Sequence, residues 1–287
     1  MRRLEYCIGK GEAFVQLPVG RFSDMHRASG RKAGRRATVA VMLLLIFMGA
    51  FLAYAAAQRR GFFSNDWAAN QRPPDETEFV FARVQYNTGY SGYGYGGGGG
   101  WAHDYPVAEL HILELAERLT RIHVKKESYV IVQLDSEEIF QYPFLYFSEV
   151  GEMNLTPKEI ANFREYLGRG GIAMIDDFDS SQSLAWFENQ MRKVFPERGF
   201  EEMKVEHSIF HTAYDIQTLD VVPPMQYGDR PRFYGYFDER ERLSMIINHN
   251  NDIGDFWEWL DQPRYPLKGT IEGVRLGINY LLFSMTH

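Results

Sequence analysis

From Phe79 onward, short apolar runs alternate with stretches whose apolar positions recur every three or four residues. Phe79 to Tyr86 is aromatic and β-branched and reads as a strand, as do Tyr129 to Leu134, Phe144 to Ser148, Ile172 to Ile175 and Leu243 to Asn248. Between them lie helical patterns. Leu110, Leu113, Ala116 and Leu119 predict a helix over 106–120, with Asp104 as N-cap and Pro106 in its first turn. Thr156, Pro157 and Glu159 have the spacing of N-cap, N1 and N3 for a helix that buries Ile160, Phe163 and Leu167 and stops at Gly170-Gly171. Ser183 to Phe195, closed by Pro196, and Ile271 to Met285 are the other helices expected. Pro224 to Phe237 reads as irregular and then extended; Phe233 to Phe237 and Leu243 to Ile247, joined across Asp238 to Arg242, are expected to pair antiparallel. Strands alternating with helices of about a dozen residues imply an α/β fold, a mainly parallel sheet in three layers with helices on both faces.

One apolar run departs from this rhythm. Residues 37–57 contain no charged side chain and are about as long as the ~20 residues that cross a bilayer as a helix. The first 37 residues hold nine Lys/Arg and three Asp/Glu, and the 22 basic and 35 acidic residues beyond them give a net charge of −13. Basic residues ahead of an apolar span keep that side in the cytoplasm. The chain therefore divides into a basic cytoplasmic N-terminus (1–36), a transmembrane anchor or signal h-region (37–57), a linker with Pro73-Pro74 (58–77) and an α/β domain (78–287). Two outcomes stand side by side: a single-pass inner-membrane protein with a periplasmic C-terminal domain, or a secreted or periplasmic protein after signal cleavage at the Ala-rich stretch. The membrane is then a partner through residues 37–57, envelope or membrane-complex proteins are further candidates, and an acidic domain without a basic stripe argues against nucleic acid.

Candidate chemistry gathers after two strands. Gly170-Gly171-Ile172-Ala173-Met174-Ile175-Asp176-Asp177-Phe178 is a buried-strand pattern ending in two carboxylates, and ligands in such folds bind at the carboxyl ends of strands. Strand alternation turns only one of Asp176 and Asp177 toward a crevice. Asn248-His249-Asn250-Asn251-Asp252 crowds polar groups behind another strand, fit to coordinate Ca2+ through carbonyl and carboxylate oxygens, to orient a polar ligand or to form an Asx-turn loop. A glycine-rich tract with Tyr90, Tyr93 and Tyr95 lacks the spacing of a dinucleotide fingerprint or a P-loop, and Trp101 and Tyr105 behind it offer stacking faces. His103, His207, His211 and His249 are scattered without metal-ligand spacing; His211 is the catalytic candidate among them, beside Asp176 and Asp177. Asp104 and Tyr142 complete the expected crevice, with Asn248, Asn250, Asn251 and Asp252. No metal ligand is assigned and no cofactor is required by the sequence. Trp257 and Trp259 read as packing.

Several of these stretches together resemble the bacterial family called domain of unknown function 4159. They are Phe81-Ala82-Arg83-Val84, Trp101-Ala102-His103-Asp104-Tyr105-Pro106, Tyr142-Pro143-Phe144-Leu145-Tyr146, the 170–178 run, Ile209-Phe210-His211, 248–255, and Asn279-Tyr280 through His287. The resemblance implies a class I glutamine amidotransferase-like (flavodoxin-like) fold, similar to trehalose-utilisation-type proteins, in members that are often membrane-tethered. In active amidotransferases the turn after the Gly-Gly-apolar strand carries a cysteine. Here it carries Asp176-Asp177, and the single cysteine, Cys7, lies far upstream, so thiol-dependent amide hydrolysis is excluded. The leading expectation is a non-catalytic ligand-binding or assembly module of the cell envelope. The alternative is a Cys-independent hydrolase using Asp/His acid–base chemistry, with or without a divalent ion, on a carbohydrate-like substrate.

Overall fold

The computed structural model describes residues 77–88, 100–220 and 230–287, all within one compact unit, Phe63–His287. The expectations for 1–36, 37–57, nearly all of the 58–77 linker and most of the glycine tract lie outside the described residues. Among the described residues no helix is long and apolar enough to cross a membrane.

The strands are β1 (Phe81–Gln85), β2 (Tyr129–Gln133), β3 (Phe144–Ser148), β4 (Ile172–Phe178), β5 (Glu201–Glu202), β6 (Arg232–Phe237) and β7 (Leu243–His249). They form one seven-stranded sheet in the order β2-β1-β3-β4-β7-β6-β5. The pairs β1–β2, β1–β3, β3–β4 and β4–β7 are parallel, while β6 runs antiparallel to β7 and β5 to β6. The five parallel strands have the order of a doubly wound sheet, with a switch point between β1 and β3. The antiparallel edge is the addition expected across Asp238 to Arg242.

Among the described residues, five α-helices cover the sheet: α1 (Val107–Leu119), α2 (Pro157–Gly168), α3 (Ser180–Val194), α4 (Ile253–Glu258) and α5 (Leu267–Thr286). A central parallel strand must be apolar on both faces, and β3, β4 and β7 are buried along their whole length. Phe81, Phe144, Tyr146, Met174 and Ile246 pack with Ile112 of α1, Trp257 of α4 and Leu276 of α5. Their alternating neighbours Ala82, Leu145, Phe147, Ile175 and Ile247 pack with Phe163 of α2 and Phe187 of α3. The result is a three-layer α/β domain.

Local signals explain most boundaries. Thr156 accepts from the Glu159 amide while Glu159 accepts from the Thr156 amide, so α2 starts on a full capping box with Pro157 in its first turn. Three elements depart from the sequence reading. β4 continues through both aspartates to Phe178, because those carboxylates find partners inside the sheet edge. α1 begins after Pro106 with no side-chain cap, since Asp104 turns away from the helix. α4 is unanticipated: at six residues it is too short to show a periodicity.

Candidate functional site

The chain turns abruptly at the carboxyl ends of the parallel strands. Asp104, Glu149, Asp177, Ser180 and Asn250 adopt positive φ values of 63°, 58°, 55°, 69° and 55°. Left-handed backbone in non-glycine residues costs about 1 kcal/mol or more each, and such positions cluster at functional sites. They lie at or just beyond the carboxyl ends of β1, β3, β4 and β7.

At Asp177 the left-handed residue coincides with a break in register. Ile175 pairs with Ile247 and Phe178 with His249, so Asp176 and Asp177 together oppose Asn248. This is a β-bulge, and it re-aims a side chain. Simple alternation would send Asp177 to the opposite face from Asp176. Instead Asp177 Oδ2 accepts from the Ser148 hydroxyl at 3.1 Å, while Asp176 Oδ2 accepts from the Tyr146 hydroxyl at 3.1 Å, two residues earlier on the same strand.

The two carboxylates have different tasks. Asp176 is fully buried and also accepts from Asn248 Nδ2 at 3.0 Å and from the amides of Ile253 and Gly254 at 3.3 and 2.8 Å. It ties β4 to β3, to β7 and to the start of α4. Burial, then the neighbouring Asp177 charge, pushes its pKa up to about 7 against these hydrogen bonds. Asp177 keeps Oδ1 buried with no hydrogen-bond partner.

That free oxygen belongs to a cluster from three connections. His103 and Asp104 lie between β1 and α1, Asp177 at the end of β4, and Asp252 between β7 and α4. One ligand atom from each lies within 4.8 Å of the others. His103 Nδ1 donates to Asp177 Oδ2 at 2.7 Å and stands 3.2 Å from Asp104 Oδ1. Both Asp104 oxygens are buried without a hydrogen-bond partner. Gly254 makes room for them, since a Cβ there would stand 2.7 Å from Asp104 Oδ2 and 2.7 Å from the Tyr146 hydroxyl. Asp252 caps α4 by accepting from the Asp255 amide at 2.8 Å.

Crowding sets the electrostatics. Burial first, and then the charge of Asp177, raises the Asp104 and Asp252 carboxyls well above the usual range. Glu149, at the end of β3, is pushed up to about 8 by burial and then by Asp177. The His103 imidazole moves to about 10, chiefly through its hydrogen bond to Asp177, with the Asp104 charge adding and burial opposing. A group of buried carboxylates is unfavourable unless a cation or protons compensate it. Three carboxylates and one imidazole suit a divalent cation such as Mn2+ or Zn2+ better than Mg2+, which prefers oxygen alone.

Arg83 supports this cluster from beneath. It is wholly buried on β1, ion-paired with the buried Glu109 of α1, and donates to the carbonyls of Trp101 at 2.9 Å and His103 at 2.7 Å. Its guanidinium also lies 4.6 Å from the Tyr146 ring centroid. The backbone that presents His103 and Asp104 is thereby pinned to the sheet.

The structure distributes the other candidates widely. Trp101 is buried in the core, and Tyr105 packs edge-on against Tyr129. Asn248 bonds Asp176 and the Tyr280 hydroxyl; Asn250 accepts from the Ser180 amide at 3.1 Å; Asn251 accepts from the Asp252 amide at 2.9 Å. These amides shape the loop around Asp252. Tyr142 precedes β3, at the opposite end of the strands from the cluster, and bonds Glu138. Both ring nitrogens of His211 are engaged, by Asp215 and by the Val205 carbonyl at 2.6 Å, so His103 and not His211 partners the aspartates. His103, Arg83 and Glu149 were not chosen from the sequence. Only the position of His103 immediately before Asp104, behind a strand, could have marked it.

The family described as Domain of unknown function (DUF4159) matches residues 80–285, which takes in every strand and helix above except the last residue of α5. None of the curated proteins compared with it matches the chain significantly. The carboxylate cluster and the sheet that builds it are thus features of a chain that belongs to the DUF4159 family.

Proposed function

We propose that the domain is a divalent-cation-dependent hydrolase acting on a hydroxyl-rich, carbohydrate-like ligand outside the cytoplasm. One observation carries this reading: three buried carboxylate oxygens, both of Asp104 and one of Asp177, lack any hydrogen-bond partner and sit beside His103 and Asp252. A bound cation would polarise a substrate oxygen and lower the pKa of water at the crevice. Asp104, Asp177, Asp252 and His103 would hold it. The His103 side chain, 38% exposed, is the member of the set that reaches solvent. Arg83 and Asp176 keep the strand ends in place.

A nearby groove supports the ligand class. The turn at Gly151-Glu152 shares an open groove of about 690 Å³ with Asn154, Gln182, Ser183, Trp186 and Asn189. Trp186 is 43% exposed, and its indole N–H donates to the Met153 carbonyl at 2.6 Å, which fixes the ring. An aromatic face rimmed by amides and a carboxylate suits sugar rings. A second reading, a binding module without turnover in the envelope, is favoured by the absence of any cysteine beyond Cys7. Residues 37–57 support membrane attachment and a periplasmic domain.

The test is thermal unfolding of the full chain with Mn2+, Zn2+, Ca2+ or Mg2+, followed by glycan hydrolysis assays with the best cation. A rise in unfolding temperature that disappears in Asp177→Asn supports the cation site, and cation-dependent product release supports the hydrolase. Binding without turnover selects the second reading. Identical curves with and without every cation would sink the hydrolase reading, and no response to any glycan would sink the binding module.

A further inference from the structure

A pocket of about 380 Å³ opens at the other end of the sheet, between the C-terminal ends of α2 and α3 and the turn joining β6 to β7. It is lined by four arginines, Arg164, Arg198, Arg240 and Arg242, against two carboxylates, Asp238 and Glu239, together with Tyr236. This is unexpected in a region that is otherwise strongly acidic. Two of the guanidinium groups are held without being neutralised. Arg164 donates through Nε to the Val194 carbonyl at 2.6 Å and through Nη2 to the Lys193 carbonyl at 2.7 Å. Arg198 donates through Nη1 to the Phe237 carbonyl at 2.8 Å. Neither forms an ion pair with a carboxylate among the described residues, whereas Arg242 is paired with Asp238 at 2.6 Å. Carbonyl oxygens fix a guanidinium in place but leave its full charge, and Nη1 of Arg164 and Nη2 of Arg198 remain free to donate.

The pocket also contains an unsatisfied donor. Tyr236 is stacked on Phe195 at 4.7 Å between centroids, and its hydroxyl is buried with no hydrogen-bond partner. A buried hydroxyl without a partner costs about 1–3 kcal/mol. Guanidinium forks pair with the oxygens of carboxylate and phosphoryl groups alike, and a phosphoryl group has a further oxygen to accept from the tyrosine hydroxyl.

We infer that this pocket is an anion site that takes a phosphoryl group, gripped by Arg164 and Arg198 with the Tyr236 hydroxyl as a third donor. Such a group arrives on a soluble phosphate ester or on a phospholipid headgroup, and the chemistry of recognition is the same. The site is independent of the carboxylate cluster, so either can fail without the other.

The experiment titrates the full-length chain with inorganic phosphate, glycerol 3-phosphate and dihexanoyl phosphatidylglycerol below its micelle concentration, each against chloride at matched ionic strength. Affinity is read from the unfolding temperature and by calorimetry. At least one phosphate compound is expected to bind where chloride does not. Arg198→Gln should weaken it about tenfold or more, and Tyr236→Phe by a smaller factor. Asp177→Asn should leave it unchanged. Tyr236→Phe removes a single oxygen, so it serves as the folded control should Arg164→Gln unfold the end of α3. Preference for the lipid over glycerol 3-phosphate assigns the headgroup as the source, and the reverse assigns a soluble ester. Absence of binding by all three, or equal affinity in wild type and Arg198→Gln, overturns the inference.

Discussion

Asp176 and Asp177 are adjacent in the chain and opposite in effect. Asp176 accepts four hydrogen bonds and holds the sheet edge together, so its replacement by Ala leaves several buried donors without an acceptor. Asp177 and Asp104 keep buried oxygens without a hydrogen-bond partner. A carboxyl whose folded pKa lies above its unfolded value favours the folded state at low pH and loses that contribution as pH climbs through the folded value. Asp104, Asp176 near 7 and Glu149 near 8 all behave this way. His103, raised to about 10, adds stability below its unfolded value that also fades as pH rises. Cation-free protein should therefore lose stability from about pH 4 to pH 10, the carboxyls contributing first and His103 last. Asp104→Asn should be more stable than wild type at pH 8, by roughly 1 kcal/mol, with a flatter profile. Urea unfolding at several pH values measures this, and a less stable Asp104→Asn at pH 8 would show that Asp104 holds the fold and not a ligand.

At the scale of elements, α4 and α5 decide where Asp252 stands. α5 carries Gly273 and Gly277, one turn apart, although glycine inside a helix costs about 1 kcal/mol relative to alanine. The reason is close approach: a Cβ at Gly277 would stand 2.6 Å from the Trp257 ring, and one at Gly273 2.9 Å from Phe256. Trp257 also donates to the Gly273 carbonyl at 3.1 Å. Gly277→Val should destabilise the domain by about 1–3 kcal/mol and weaken any ligand of the cluster, because α4 must shift. Thr156→Ala, which costs about 1 kcal/mol by removing the cap of α2, a helix that carries no residue of the cluster, should lower stability alone. Chemical denaturation beside ligand titration separates the two; equal loss of binding in both would contradict the coupling. The same elements show where the sequence was legible. Runs such as Phe144–Ser148 and the Thr156 capping box announce themselves through local composition. The bulge at Asp176-Asp177 does not, because its cause is the pairing with β7, seventy residues away in the chain. Asp104 looks like an N-cap for the same reason: an Asp before Pro106 has the local form of a cap, and only the positions of Asp177 and Gly254 show what draws it elsewhere.

For the whole molecule, charge and topology divide the labour. The carboxyl ends of the strands collect acids around the switch point, and the opposite end collects arginines around Tyr236. Everything that builds both ends lies within Phe63–His287, so a chain starting at Phe63 should unfold cooperatively at the temperature of the full-length protein. Calorimetry of the two chains checks this, and a broad or lowered transition would mean that the first 62 residues contribute to the fold. The position of β7 has a consequence for how the molecule matures. It is the last strand in the chain and pairs directly with β4, and Asp252 follows it by three residues. While the chain is being made, His103, Asp104 and Asp177 emerge before Asp252. The four-residue cluster is therefore complete only once β7 has joined the sheet.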